Sequence, residues 1–357
     1  MNWTKSPNQD FEEDNRGWPK GKRRNWAKAT EEKVEEIYKE LESDPEQFYV
    51  GATAIEQRWR EKYLNISPPP LRTIGRILKD LGLSSKRKKG RNKGAARYLC
   101  YPEYSIYEAL GGRVAEADFI GKKFIVGRTE PVNFISFCFK KEPKLRYFQR
   151  IEDQTANTII NECEKFFKKF EKPDFLKVDN CLATIGSASG KRNLSRTMLF
   201  LLKNQVIPIF SVPRKPFSQA SIEGNNSVFS RKFWNREIFE SIEHIDERLK
   251  AFNKCSQWYT GYKLPEKKHE PKHNFIPKVF FIRQVKEYND KACINILNEE
   301  IFLKNAFVNY FVLAEWDLKT ETLIIYFEKE QQQKIIHMQS FKINQRSKKG
   351  ASLSFDQ

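Results

Sequence analysis

No stretch of the 357-residue sequence approaches the ~18 consecutive apolar residues of a membrane-spanning helix. The first thirty residues carry charges where a secretory signal has an apolar core. The expected setting is therefore intracellular and soluble, with no membrane partner. Cysteine is sparse: Cys100, Cys138, Cys163, Cys181, Cys255 and Cys293 include no C-x₂-C pair, so neither a disulfide framework nor a zinc ribbon is indicated and reduced thiols are expected. Internal repeats are absent. Acidic residues are missing altogether between Ser84 and Arg97.

What is abundant is positive charge. The chain has 64 Lys+Arg against 46 Asp+Glu, a formal net charge of +18, which favours a polyanionic partner through counterion release. Nucleic acid is the leading candidate, with double-stranded DNA as the expected partner, and the expected location is cytoplasmic and nucleoid-associated. The excess is uneven. Residues 1–26, with the run Arg16 to Arg24, read as a flexible basic arm. Residues 85–109 read as a basic linker, in which Lys86, Arg87, Lys88, Lys89, Arg91 and Lys93 lie on a phosphate backbone.

Residues 27–84, between these two segments, show helical periodicity. Thr30 is a candidate N-cap for Val34, Ile37, Tyr38 and Leu41, a run that Asp44-Pro45 ends. A second helix is predicted at about 53–64. A third runs from Leu71 to Leu81, with Ile74, Ile77, Leu78 and Leu81 on one stripe and Arg72, Arg76 and Lys79 off it. This spacing fits a helix-turn-helix or a generic three-helix bundle. The basic linker that follows favours the helix-turn-helix, with Arg72 and Arg76 as DNA-binding residues.

The pattern changes near Val114. Strands are predicted at 113–120, 131–140, 144–151, 175–178 and 206–211, and helices around 159–170, 193–204, 218–235 and 243–256, so residues 110–260 form an α/β core with a mixed sheet. After a linker at 261–275, residues 276–345 read as strands alone and suggest a small β-barrel before the tail 346–357.

Three acids in this core invite a chemical reading. Asp118 is placed at the end of the first strand, Asp179 directly follows Phe175 to Val178, and Glu223 lies beside Ile222, whose stripe continues at Phe229 and Phe233. Asp is depleted inside strands unless something requires it. Carboxylates delivered by two strands and one packed helix can converge on the hard-oxygen site that divalent ions need for in-line phosphoryl displacement. Taken singly, each acid is more simply a solvated charge.

Together they lie in three matching stretches: Ala117-Asp118-Phe119-Ile120-Gly121, Val178-Asp179-Asn180, and Pro216-Phe217-Ser218-Gln219-Ala220-Ser221-Ile222-Glu223. These resemble the DDE transposase and integrase family, whose second Asp opens a D-N-G signature and whose Glu closes a P-x-x-x-G-x-[VI]-E signature. Cys181 and Ala220 stand where that family commonly has glycine. The resemblance implies a ribonuclease H-like core, preceded by a helix-turn-helix and followed by a small β-barrel, as in insertion-sequence transposases. It further implies Asp118, Asp179 and Glu223 as catalytic residues and as ligands of two Mg²⁺ or Mn²⁺ ions. The implied activity is cleavage at transposon ends and strand transfer into target DNA by a homo-oligomer on DNA.

The zinc module that precedes retroviral integrase cores has no counterpart, because the first histidine is His244. His269-x₃-His273 sits among lysines and prolines and reads as a surface linker. Lys215, Arg231 and Lys232, with Arg214 and Arg236, flank the Glu223 helix and either contact DNA or form its solvated face. Two further acids, Glu116 and Glu237, are expected to be dispensable. The competing readings are a catalytically silent, transposase-derived DNA-binding regulator, and a nuclease or resolvase on the same fold, which would leave the helix-turn-helix and the basic linker unexplained.

Overall fold

A computed structural model of the chain describes residues 27–84, 112–139, 144–186, 190–215, 219–264, 274–329 and 332–344. The expected basic arm, linker residues Lys86 to Arg97, Pro216 to Ser218, His269, His273 and the tail lie outside the described residues. The chain divides into two compact units, Met1–Arg87 and Lys88–Gln357. Among the described residues no helix is long and apolar enough to cross a membrane.

The first unit contains α1 (Lys28–Ser43), α2 (Ala52–Lys62) and α3 (Leu71–Asp80). Val34, Ile37 and Leu41 from α1 meet Ile55 and Trp59 from α2 and Ile74, Ile77 and Leu78 from α3 in one buried core. The Trp59 indole donates to the Ile66 carbonyl at 2.9 Å, tying the α2–α3 turn to that core. The spacing of these apolar residues placed all three helices. The cap was misassigned: α1 begins at Lys28, its N-cap is Ala27, and Thr30 lies inside the first turn.

The second unit is built on a nine-stranded mixed sheet with flanking helices. The strands, in chain order, are β1 (Val114–Lys123), β2 (Val132–Phe139), β3 (Arg146–Ile151), β4 (Phe175–Val178), β5 (Ile207–Phe210), β6 (Lys278–Gln284), β7 (Lys286–Tyr288), β8 (Lys291–Ile296), β9 (Glu299–Leu303), β10 (Phe311–Asp317), β11 (Thr322–Lys329) and β12 (Gln332–Ser340). The large sheet has the order β12-β11-β10-β6-β5-β4-β1-β2-β3, and β7-β8-β9 form a small sheet of their own. The helices are α4 (Ala156–Lys169), α5 (Leu182–Ile185), α6 (Arg196–Lys203), α7 (Ala220–Phe229) and α8 (Ile242–Thr260).

Alternation along the strands makes two faces. On one, Ala115, Ala117, Leu176 and Val178 pack with Cys163 and Phe166 of α4 and with Met198 and Leu201 of α6. On the other, Phe134 of β2 and Phe148 of β3 meet Phe229 of α7 in tilted ring contacts, and Phe148 also meets Phe252 of α8. The β3 edge is closed by Asn253 of α8, whose amide donates to the Phe148 carbonyl at 2.8 Å and accepts from its N–H at 2.9 Å.

The expected separate β-barrel over 276–345 is corrected by the pairing. β6 runs parallel to β5, with Ile209 opposite Phe280, and β10, β11 and β12 continue outward from β6. The run Lys278–Gln284 is apolar enough to be buried on both faces, which suits a central strand of the core sheet rather than the wall of an independent barrel.

Candidate active site

β1 runs parallel to β4, with Val114 opposite Phe175 and Glu116 opposite Lys177. The same offset carried two residues further sets Asp118 beside Asp179, just past the carboxyl end of β4. Asp118 does not end its strand, as the sequence suggested. β1 continues to Lys123, because β2 stays paired with it as far as the Lys123 and Val132 partnership, beyond a register shift. Asp118 is therefore a half-buried mid-strand carboxylate flanked by its cross-strand partner Ser136.

Glu223 comes from α7, whose Ile222 and Phe229 are buried. One helical turn on, the Asn226 amide donates to Asp118 Oδ2 at 2.9 Å, and the Ser136 hydroxyl donates to Asn226 Oδ1 at 2.6 Å. This relay fixes the Asp118 carboxylate against the helix that carries Glu223. The charges are felt. Burial first and then the Asp179 charge push the Asp118 carboxyl up to about 7, against hydrogen bonds from Asn226 and the Phe119 backbone, and Glu223 adds to the rise. Burial and then Glu116 push Glu223 above its ordinary range. A carboxyl raised first by burial and then by neighbouring acids favours an added cation, and three hard oxygen donors match what Mg²⁺ or Mn²⁺ accepts. Among the described residues no three acids, histidines or cysteines are drawn together tightly enough to enclose an ion.

The loop after Asp179 is tightly held. Asp179 Oδ1 accepts from the Cys181 N–H at 3.2 Å, and the Thr184 hydroxyl donates to the Asp179 carbonyl at 2.8 Å. Cys181 adopts φ −72°, ψ 163°, a conformation open to any residue, so the position does not require glycine. Ala220 opens α7 as an ordinary helical residue, so glycine is not needed there either.

Two residues of structural weight escaped the sequence reading. Glu116, expected to be dispensable, is fully buried and accepts from the Ile222 N–H at 2.9 Å, with the buried Lys177 ammonium 4.0 Å away. Arg283 of β6 is also buried. Its guanidinium donates to the carbonyls of Asn295 (2.9 Å), Ser211 (3.0 Å) and Ile282 (2.9 Å), and to Asn180 Oδ1 (3.0 Å). The signal available for Arg283 was a charged residue inside a largely apolar strand; Glu116, in a strand that also carries Asp118, Lys122 and Lys123, gave none. Glu237, by contrast, accepts from Arg248 at 2.8 Å, an ion pair with no part in the acid cluster.

Beyond Asp118, β1 leads towards a cationic patch. The Lys123 ammonium donates weakly to the Ser230 hydroxyl at 3.4 Å, at the wide helical turn Ser230–Trp234 that prolongs α7. Arg231 and Arg236 are exposed there and Lys232 is half-buried. Burial, then Arg236 and Arg231, push the Lys232 ammonium below its usual range. Lys215 lies half-buried before the segment outside the described residues.

No protein-family model and no curated protein matches the chain. The similar solved structures include the catalytic core domain of BIV integrase, at 13% identity and TM-score 0.27, covering 40% of this chain and 83% of that one. They also include the simian T-cell lymphotropic virus intasome in complex with PP2A regulatory subunit B56 gamma, at 10% identity and TM-score 0.34, covering 64% of this chain and 77% of that one.

Proposed function

We propose that the chain is a DNA transposase of the integrase type, a divalent-metal-dependent polynucleotidyl transferase with Asp118, Asp179 and Glu223 as its catalytic carboxylates. The observation that carries this reading is the parallel register of β1 on β4, which, carried two residues on, sets Asp118 beside Asp179 just past the end of β4, with burial and the Asp179 charge pushing the Asp118 carboxyl up to about 7. A binding protein has no need to bury such charge.

The three carboxylates would hold two Mg²⁺ or Mn²⁺ ions, which when bound supply Lewis-acid polarisation of the phosphodiester and make water a better nucleophile. Asn226 and Ser136 hold Asp118 in orientation, while Arg231, Lys232 and Lys215 bind the phosphates that flank the cut. Water attacks the phosphodiester at a transposon end, releasing a 3′-hydroxyl on one side and leaving a 5′-phosphate on the other. That hydroxyl then attacks a target phosphodiester, one P–O bond forms as another breaks, and a target 3′-hydroxyl leaves. Each step conserves charge and needs no protein-linked intermediate. A homo-oligomer holds the two ends.

The test begins with the DNA flanking the gene. Short inverted repeats on both sides should be present, and a duplex ending in that repeat should be nicked and joined to target DNA with Mg²⁺ or Mn²⁺. Specific binding of such a duplex without cleavage in either ion would replace the enzyme with the silent DNA-binding regulator.

Base reading and phosphate contact should separate experimentally. On α3, Arg72 and Arg76 are exposed opposite the buried Ile74, Ile77 and Leu78. If α3 reads bases, alanine at either arginine should cost ~1–3 kcal/mol on the preferred site and relax sequence preference. Neutralising Lys86, Arg87, Lys88, Lys89, Arg91 and Lys93 should weaken binding to every sequence and flatten the salt dependence by about one unit per lost phosphate contact. Competition binding over a salt series checks both, and a uniform loss from the α3 changes would remove its reading role.

A further inference from the structure

We propose that Glu116 is the positioning residue of this site, tying together the three elements that carry Asp118, Asp179 and Glu223. The proposal rests on the reading of those acids as metal ligands. Glu116 and Asp118 lie two residues apart on β1, so their side chains share a sheet face. That is the face α7 covers.

The start of α7 shows what Glu116 does there. A helix leaves its first N–H groups without intrahelical acceptors, and a capping side chain normally supplies one. Here the N-cap residue Gln219 makes no side-chain capping bond. The acceptor comes from the sheet: Glu116 Oε2 takes the N–H of Ile222, the residue before Glu223, at 2.9 Å. A carboxylate at a helix N-terminus also meets the positive end of the helix dipole. The first turn of α7, and with it the Glu223 backbone, is thereby fastened to the strand that carries Asp118.

Glu116 also faces β4. Its other oxygen lies 4.0 Å from the ammonium of Lys177, and the two residues are 0% and 2% exposed. Lys177 stands two residues before Asp179 and opposite Glu116 in the parallel register. One buried carboxylate thus contacts β4 below Asp179 and α7 before Glu223, while sitting in β1 below Asp118. Removing one member of such a pair strands the other charge in the interior, whereas removing both does not. This arrangement accounts for a charged pair inside a layer otherwise made of Val114, Phe175, Ile209 and Phe280.

The experiment uses the full chain and two double variants that strand no charge. Glu116→Gln/Lys177→Met keeps an oxygen acceptor for the Ile222 N–H, and Glu116→Ala/Lys177→Met removes it. Asp118→Asn serves as the metal-site reference. Hydrogen exchange at the Ile222 and Glu223 amides is measured without metal, Mn²⁺ affinity is measured by titration, and strand transfer is split into kcat and KM. In the alanine double variant, exchange at Ile222 should quicken at least about tenfold, Mn²⁺ should bind about 10–100-fold more weakly, and kcat should fall with KM for DNA little changed. The glutamine double variant should stay within about threefold of wild type in all three.

Unchanged Ile222 exchange in the alanine double variant overturns the proposal outright. So does quickened exchange with unaltered Mn²⁺ affinity, provided Asp118→Asn has lost the ion. If Asp118→Asn binds Mn²⁺ normally, the metal-site reading fails instead, and exchange at Ile222 still decides whether Glu116 anchors α7.

Discussion

Asp118→Asn, Asp179→Asn and Glu223→Gln should each lower strand transfer by at least about a thousandfold, while the protein stays folded and keeps its affinity for DNA. Each change preserves shape and removes one negative charge from the site proposed to hold cations against a phosphodiester. On the proposed reading the losses should not add, because three ligands serving one pair of ions would fail together. Glu237→Gln should retain activity, since its partner is Arg248. Full activity in Glu223→Gln, or loss only in Glu237→Gln, would move the third ligand elsewhere and leave the class of enzyme standing.

The same variants carry a stability signature. The Asp118 carboxyl is raised from 3.8 to about 7, so between these values the folded protein binds a proton that the unfolded chain has released. Metal-free stability therefore falls as pH rises through that window, and the penalty is fully present above about pH 7. A rise of that size bounds the penalty at about 4 kcal/mol, and water reaching the half-exposed carboxyl reduces this to about 2 kcal/mol. Above pH 7, Asp118→Asn should melt several degrees higher than metal-free wild type, with the gap closing towards pH 4. Mg²⁺ or Mn²⁺ should stabilise wild type and leave Asp118→Asn unmoved. Melting curves over pH 4–8 with and without the ion give both comparisons, and a pH-independent gap would mean that Asp118 is not the titrating group.

Why some of this was legible in the sequence and some was not follows from the range of the interactions. Periodicity is local, so the α3 stripe of Ile74, Ile77 and Leu78 and the alternating apolar residues of β2 located those elements to within a few residues. Strand partnership is not local. Nothing near Val279 says that β6 will lie against β5, and a run of apolar strands after a linker suits a separate barrel equally well. Short or exposed elements also gave no signal: β7 has three exposed residues, and β12 carries mostly polar ones. At the candidate site, Asp118, Asp179 and Glu223 stood out through their motif context. Glu116 did not, because its role depends on meeting Ile222, 106 residues away. A solvated strand acid and a buried helix anchor look alike in one dimension.

Arg283→Ala should destabilise the core by about 3–5 kcal/mol and carry activity down with it, although Arg283 lies outside the acid cluster. The side chain is 5% exposed, and burial pushes its guanidinium down to about 9, so it remains protonated at physiological pH. It persists in the interior because its donors reach the carbonyls of Asn295, Ser211 and Ile282 and the side chain of Asn180. Truncation removes four buried hydrogen bonds, leaving the Ser211 carbonyl with its bond from Asn180, and opens a cavity, which together give the stated magnitude. The route to activity runs through Asn180, which follows Asp179 and whose own amide donates to the Ser211 carbonyl at 2.6 Å. Arg283 and Asn180 share that acceptor, so loss of the guanidinium loosens the loop that presents Asp179. Arg283→Lys keeps the charge but not the planar fork, and should recover only part of the stability. In a double-mutant cycle with Asn180→Ala, the two changes should couple by about 1–2 kcal/mol. Denaturant unfolding supplies the energies, and strand transfer below the melting temperature separates positioning from folding. Additive effects with normal activity in the folded variant would make Arg283 a purely structural residue with no reach to Asp179.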